Sequence, residues 1–460
     1  MRRSYVKKAT ALALALVLAL LLPGCGGETS VWQETPVAPQ KNDSLTVLCL
    51  GQQTKAVSMV QMALKLYQAM YPEVEVELIQ SGANDTLEMD DERYRQIAAQ
   101  IMAGEGPDVF IVDDAIMDVE KLVRQGVFAD MEPFFEADNF DWEPYNQAVM
   151  DGGVWNGKRF IIPLNYSFPV LFTTRSVLEE TGIDLDACGD IQGFLEENTR
   201  YLESEGRTRQ LICGAKPFRS LLDESGLAIA DYDARTIDLS SPVLKSLLRW
   251  NKTIIETDSD WDLSVAGGLT AAAAVREGAK VWAGSAVGPL FGLYEDYAAL
   301  RTLGDEVVML PIRDMDGGIR AEIREPVGVR ANSENLQNAY NFIKLLLGRT
   351  VQSESQYGFN VTFTVLDAAN EDYFIRMSDK HLTAADTDGF VSPTTSYYAV
   401  ERPTREEFDQ IMGYTREITG TYYSSHLGLY EAMEPYFMEG ADYDETLAEA
   451  QRQLERYITE

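Results

Sequence analysis

The sequence predicts an α/β protein built on mostly parallel β-sheet. Three observations carry this. Beyond residue 43 the chain runs as an apolar segment, a helical repeat and an alternating segment, the strand–helix–strand order of a parallel sheet. A second apolar run, Val109–Val112, ends in two aspartates. Leu336–Leu347 reads as a strongly apolar helix.

The first element is not part of that fold. Arg2, Arg3, Lys7 and Lys8 precede an apolar run over 9–22, which is shorter than the roughly 20 residues a membrane span needs. It reads as a secretory signal peptide over 1–24. The run ends in Leu22-Pro23-Gly24-Cys25, which resembles a bacterial lipobox and makes Cys25 the expected lipidation site. Pro23 departs from the small or hydroxylated residue usual at its place. Residues 26–43 hold Gly, Ser, Thr and two prolines without periodicity. They read as a linker that spans about 23 Å as a flexible coil.

In the fold itself, Leu45 to Leu50 is an apolar strand that leads into Gly51-Gln52-Gln53. Val57, Val60, Leu64 and Tyr67 recur at helical spacing until Pro72. Val74, Val76 and Leu78 then alternate with glutamates, as a half-buried strand does. Strands are expected at 160–162 and 170–172 around Pro163, a helix at 191–201, and strands at 307–310 and 327–329. The C-terminal region mixes acidic helices with Tyr422, Tyr423, Tyr430 and Tyr436 and carries no recognisable motif.

The formal charge is −34. Loss of residues 1–24 removes four basic and no acidic residues, which leaves 35 against 73, or −38. Such a surface repels nucleic acid and anionic headgroups, so neither is an expected partner. Besides Cys25 there are three cysteines, an odd number that argues against a disulfide framework. A Cys188–Cys213 bridge remains compatible with the count, and Cys49 belongs to an apolar strand.

Catalytic and metal chemistry find little support. The two histidines, His381 and His426, have no ligand partner at helical spacing, so no metal and no cofactor are expected. Asp386-Thr387-Asp388-Gly389 begins like a calcium loop but lacks the completing acid. A Gly-x-Ser-x-Gly elbow, a phosphate-cradling Gly-Lys-Ser/Thr loop and a dinucleotide glycine fingerprint are all missing. Paired carboxylates carry no weight for glycosidase chemistry in so acidic a chain.

Two polar groups stand at strand ends, where ligands bind in open α/β sheets. Gln52 and Gln53 follow the first strand and can both donate to and accept from hydroxyls. Asp113 and Asp114 follow the second apolar strand; one suits a helix N-cap and the other a ligand.

Four stretches in order give the chain a resemblance to extracellular solute-binding proteins of the maltose-binding type. They are Gly104-Glu105-Gly106-Pro107-Asp108-Val109-Phe110; the run from Lys121 through Gly126 to Met131; Asn156-Gly157-Lys158 to Pro163 with Val170 to Arg175; and Val308-Met309-Leu310-Pro311 with Gly317-Gly318 and Val327-Gly328-Val329. The resemblance covers roughly residues 44–370.

It implies a two-lobed clamp, each lobe a mostly parallel sheet flanked by helices, with the ligand cleft between lobes. The implied lobes are 44–163 plus about 326–375, and 164–325 plus about 376–460, with crossings near Pro163 and Pro326. It also implies ligand contacts at Asn165, Tyr166 and Ser167, after the first crossing, and at Trp282, Gly284 and Ser285, where a strand would meet a helix N-terminus. Tyr166 could stack on a sugar ring or donate its hydroxyl. Ala286 stands where sugar binders often carry a stacking tryptophan. Trp155 reads more readily as a turn anchor, and Arg324 and Glu325 as either cleft or hinge residues.

The implied function is capture of a small polar solute, a sugar or oligosaccharide, by a monomeric lipoprotein on the extracytoplasmic face of the cell membrane. Its implied partners are the permease subunits of an ABC importer. Two other readings stay open: a ligand sensor docking on a signalling receptor, and a surface glycan hydrolase.

Overall fold

The computed structural model describes residues 39–50, 54–80, 93, 95–97, 100, 105–112, 118–212, 217–257, 271–283, 297–301, 304–354, 362–379, 404–423 and 427–459. In chain order, β1 (Ser44–Leu50), α1 (Thr54–Met70) and β2 (Glu75–Gln80) form the expected opening unit. Then come β3 (Val109–Val112), α2 (Val119–Arg124), β4 (Ile161–Ser167) and β5 (Val170–Thr174). The middle of the chain supplies α3 (Ile191–Leu202), β6 (Gln210–Ile212), α4 (Pro217–Glu224), β7 (Ala230–Asp231), β8 (Thr236–Ile237), α5 (Pro242–Thr257), β9 (Lys280–Trp282) and β10 (Val307–Pro311). Last come β11 (Ile319–Val329), α6 (Leu336–Leu347), β12 (Phe363–Thr364), α7 (Arg405–Thr415), β13 (Ile418–Tyr422) and α8 (Tyr443–Thr459).

One sheet runs β12-β4-β11-β3-β1-β2, with β13 added beside β11. Its β2-β1-β3 part is parallel, as the strand–helix–strand pattern predicts. β4 runs antiparallel to β12 and β11, and β11 runs antiparallel to β3 but parallel to β13, so the sheet is mixed. This follows from their role, since they carry the chain out of the sheet and back. β1 is buried along its centre, whereas β2 exposes Glu75, Glu77 and Gln80 as an edge strand does.

The middle of the chain builds a second group of strands. β6 pairs parallel with β9, and β5 pairs antiparallel with β10. Ala283, just past β9, exchanges backbone hydrogen bonds of 2.7 and 2.9 Å with Phe172 of β5 and joins the two pairs. The apolar faces of α3 and α5, including Phe194, Leu195, Leu247 and Trp250, bury here.

The strand expected at 160–162 extends to Ser167 and passes straight through Pro163. The short strand expected at 327–329 is the end of the eleven-residue β11. The two prolines lie opposite one another, Pro326 in register with Pro163. Residues without an N–H can face each other only where the ladder exchanges no hydrogen bond between them. The sequence reading missed β13, whose Ile418-Thr-Gly-Thr-Tyr run is short and glycine-interrupted. Cys188 is a buried free thiol, so the bridge to Cys213 that the count permitted is not formed; Cys213 itself lies outside the described residues.

Candidate functional site

The register of the first sheet locates a polar edge. Leu50 pairs with Val112, so β1 and β3 end side by side. β11 runs antiparallel to β3, with Val327 opposite Ile111 and Val329 opposite Val109. Moving from Val327 towards Glu325 and Arg324 therefore carries β11 past the C-terminal end of β3. β4 follows it there, with Asn165 opposite Arg324 and Ser167 opposite Glu322.

Strand alternation sorts the side chains of this edge. Asn165 and Ser167 share a face with Arg324 and Glu322. The Ser167 hydroxyl donates to Glu322 Oε2 at 3.1 Å, and Arg324 Nη1 donates to Glu322 Oε1 at 2.8 Å. Asn165 Nδ2 donates to Glu325 Oε2 and lies 3.7 Å from Met59 Sδ of α1. Glu325 has a positive φ of 53°, and its carboxylate is buried. In β11 the alternation of buried and half-buried residues gives way at Glu325 to continuous burial.

Tyr166 falls on the opposite face, in register with Ile323 and Phe363. It is fully buried, stacks on Phe363 at 5.4 Å between ring centroids, and its hydroxyl accepts from Asn146 Nδ2 at 3.4 Å. Burial pushes its phenol well above the ordinary range. Tyr166 is therefore engaged in apolar packing, whereas Asn165 and Ser167, buried as well at 0% and 3% exposure, face polar partners on the other side of the strand. Trp282 is also fully buried, in β9, and donates from Nε1 to Asn198 Oδ1 at 2.9 Å. Trp155 stacks on Tyr423 with centroids 6.0 Å apart, beside a turn in which Asn156 and Gly157 both have positive φ. That placement is the turn anchor the sequence suggested.

Gln52, Gln53, Asp113, Asp114, Gly284, Ser285 and Cys25 lie outside the described residues, as do His381, His426 and 386–389. The strands that precede the first six are described. β1 and β3 end together, and so do β6 and β9, where Ile212 pairs with Trp282. Each pair thus ends at one sheet edge, where α/β proteins place ligand sites.

Nothing in the sequence singles out Glu224. It ends α4, and Gly226 just beyond it lies against the Arg320 side chain of β11. Its carboxyl is 2% exposed and Oε1 has no hydrogen-bond partner. Burial, then the charges of Glu322 and Asp223, hold its pKa well above the carboxylate range. The site thus combines a buried carboxyl whose pKa is raised, the Glu322–Arg324 ion pair, a hydroxyl and an amide. Such a set exchanges hydrogen bonds with polar hydroxylated ligands. Among the described residues, no group of three or more His, Cys, Asp or Glu could hold a metal ion.

Fold and edge together define a class of architecture: two-lobed α/β proteins. Residues 51–203 match the family described as bacterial extracellular solute-binding protein. No curated protein matches the chain. Solved structures share its fold. The sugar-binding protein MalE from the phytopathogen Xanthomonas citri is 11% identical, with 90% of this chain and 97% of that one covered and a TM-score of 0.57. The GacH receptor of Streptomyces glaucescens, solved unliganded and with acarbose, is 14% identical, with 91% and 99% covered and a TM-score of 0.54. Maltose-bound T. maritima MalE3 is 14% identical, with 90% and 99% covered and a TM-score of 0.53. The chain is thus similar to bacterial extracellular solute-binding proteins over residues 51–203, and it shares the fold of solved proteins of the maltose-binding type.

Proposed function

We propose that the chain is a lipid-anchored binding protein that captures a sugar or oligosaccharide and delivers it to the permease subunits of an ABC importer, without catalysing a reaction. Residues 1–24 serve as the signal peptide, Cys25 as the anchor, and 26–43 as the tether. One lobe comprises 44–163 and about 326–375, the other 164–325 and about 376–460, and the cleft opens at the crossing strands. Attachment through Cys25 is the reading that suits the leader, whose apolar run over 9–22 is followed by Pro23-Gly24-Cys25.

One observation carries the ligand site: Asn165, Ser167, Glu322 and Arg324 share a face of β4 and β11 just beyond the end of β3. Gln52, Gln53, Asp113 and Asp114 on one side, and Gly284 and Ser285 on the other, complete the site from the neighbouring strand ends. Tyr166 and Trp282 support it from behind by packing. That the solved relatives include proteins described as binding maltose or acarbose favours a saccharide.

A thermal-shift screen of the chain against linear and cyclic oligosaccharides, peptides and polyamines tests this. A ligand present at about 100 times its Kd stabilises the fold by about 2.7 kcal/mol. The expected result is a raised Tm with a saccharide alone. A rise with peptides or polyamines, and none with saccharides, overturns the ligand assignment.

A further inference from the structure

The C-terminal helix makes a contact that solute binding leaves unexplained. Helix α2 is rooted in a small core: its Val119 and Val123 pack with Leu48, Leu50, Phe110, Val127, Phe128 and Ile161. Helix α8 is rooted elsewhere. It packs on β8 of the β7–β8 hairpin and on Leu429–Ala432, and its Ala450 and Leu454 are buried.

The two are tied together at their surfaces. Asp118, the N-cap of α2, accepts from the Lys121 backbone N–H through Oδ1 and from the Tyr457 hydroxyl through Oδ2, at 3.0 and 2.7 Å. Lys121 Nζ lies over the Tyr457 ring, 4.6 Å from its centroid. At the other end of α2, Arg124 forms ion pairs with Glu120 and with Asp233 of the hairpin, and its guanidinium sits over the Tyr232 ring at 5.2 Å. The Arg124 side chain is 14% exposed and that of Asp233 59%, so the pair is a surface ion pair that contributes little by itself.

Resting on the two-lobed binding reading, we propose that α2, the β7–β8 hairpin and the last turn of α8 form a latch that holds the two lobes together across the cleft. None of the three is a crossing strand, so the latch is a connection between lobes separate from the hinge. Two hydrogen-bonded or charged contacts and two ring contacts give a small bias between open and closed forms rather than a lock. A bias of that kind shifts the populations of a clamp without fixing them.

Small-angle scattering of the unliganded chain tests the latch without needing a ligand. The comparison is between wild type, the Arg124→Ala/Tyr457→Phe double variant, and a chain ending at Arg456, which removes the tyrosine but keeps Leu454. The expected result is a larger radius of gyration in both altered chains with unchanged far-UV circular dichroism. The truncated chain gives the answer if the double variant unfolds. An unchanged radius in a folded altered chain overturns the latch. The saccharide screen reads the binding assignment separately, so a failed latch with a saccharide response removes the latch alone.

Discussion

The buried carboxylate of Glu325 accepts a hydrogen bond from the side-chain amide of Asn165 across the two strands that leave the first sheet. Glu325 holds this position with a left-handed backbone, φ 53°, immediately before Pro326. A side chain in that conformation costs about 1–2 kcal/mol, and it persists where surrounding contacts demand it. The amide's Oδ1 is buried without a partner, so the Nδ2 bond to Glu325 is one of its few satisfied contacts. Glu325→Ala therefore keeps the strain and removes the acceptor, at a cost of about 1–3 kcal/mol. Glu325→Gly removes the acceptor but relieves the strain, so it should be the milder change by about 1 kcal/mol. Urea unfolding midpoints of the two variants check the order. Alanine proving the more stable would show that the backbone there carries no strain.

Tyr166 lies on the strand face opposite the proposed ligand residues and Trp282 is fully buried in β9, and that predicts a pair of substitutions silent for binding. Tyr166→Phe deletes a hydroxyl with one long hydrogen bond and should cost under about 1 kcal/mol. Trp282→Phe leaves the buried Asn198 Oδ1 without its donor and should cost about 1–3 kcal/mol. Neither should alter the Kd of a saccharide identified by screening, as measured by calorimetric titration. A tenfold loss of affinity in Tyr166→Phe, with stability retained, would return that residue to the ligand face.

Glu224 predicts a pH effect with a definite sign. Its folded pKa is raised, so the native state holds the proton more tightly than the unfolded chain. Its contribution is then favourable at and below the ordinary carboxylate value of 4.5 and is lost as pH rises from there through the raised folded value. Glu224→Gln needs no proton. Its Tm relative to wild type should climb across that window and be unchanged below it. Parallel Tm–pH curves for the two proteins would mean that Glu224 ionises normally.

Several of these features were legible in the sequence, and the physics explains which. Runs such as Val109–Val112 and the glutamate-alternating 75–80 declare their burial locally, and so they become strands where expected. The prolines at 163 and 326 stand where crossings were expected, but their mutual register is a long-range fact that no local pattern carries. The same holds for parity. Residues 165, 166 and 167 look alike as a polar trio, and only pairing with β11 shows that the middle one faces the core. Glu224 and Glu322 lie far apart in sequence, and no spacing rule brings them together. Trp282 looked available because its partner, Asn198, sits on a helix read only as an amphipathic element.

The most direct test of the site is calorimetric titration of the saccharide found by screening into wild type and Glu322→Gln. Glu322 is half-buried, orders Ser167 and Arg324, and holds the charge around which the polar face is arranged. A charge-assisted hydrogen bond is worth about 1.5–3 kcal/mol, so Kd should rise by roughly ten- to a hundredfold while Tm without ligand stays close to wild type. Wild-type affinity in the folded variant would place the ligand somewhere other than the face shared by β4 and β11.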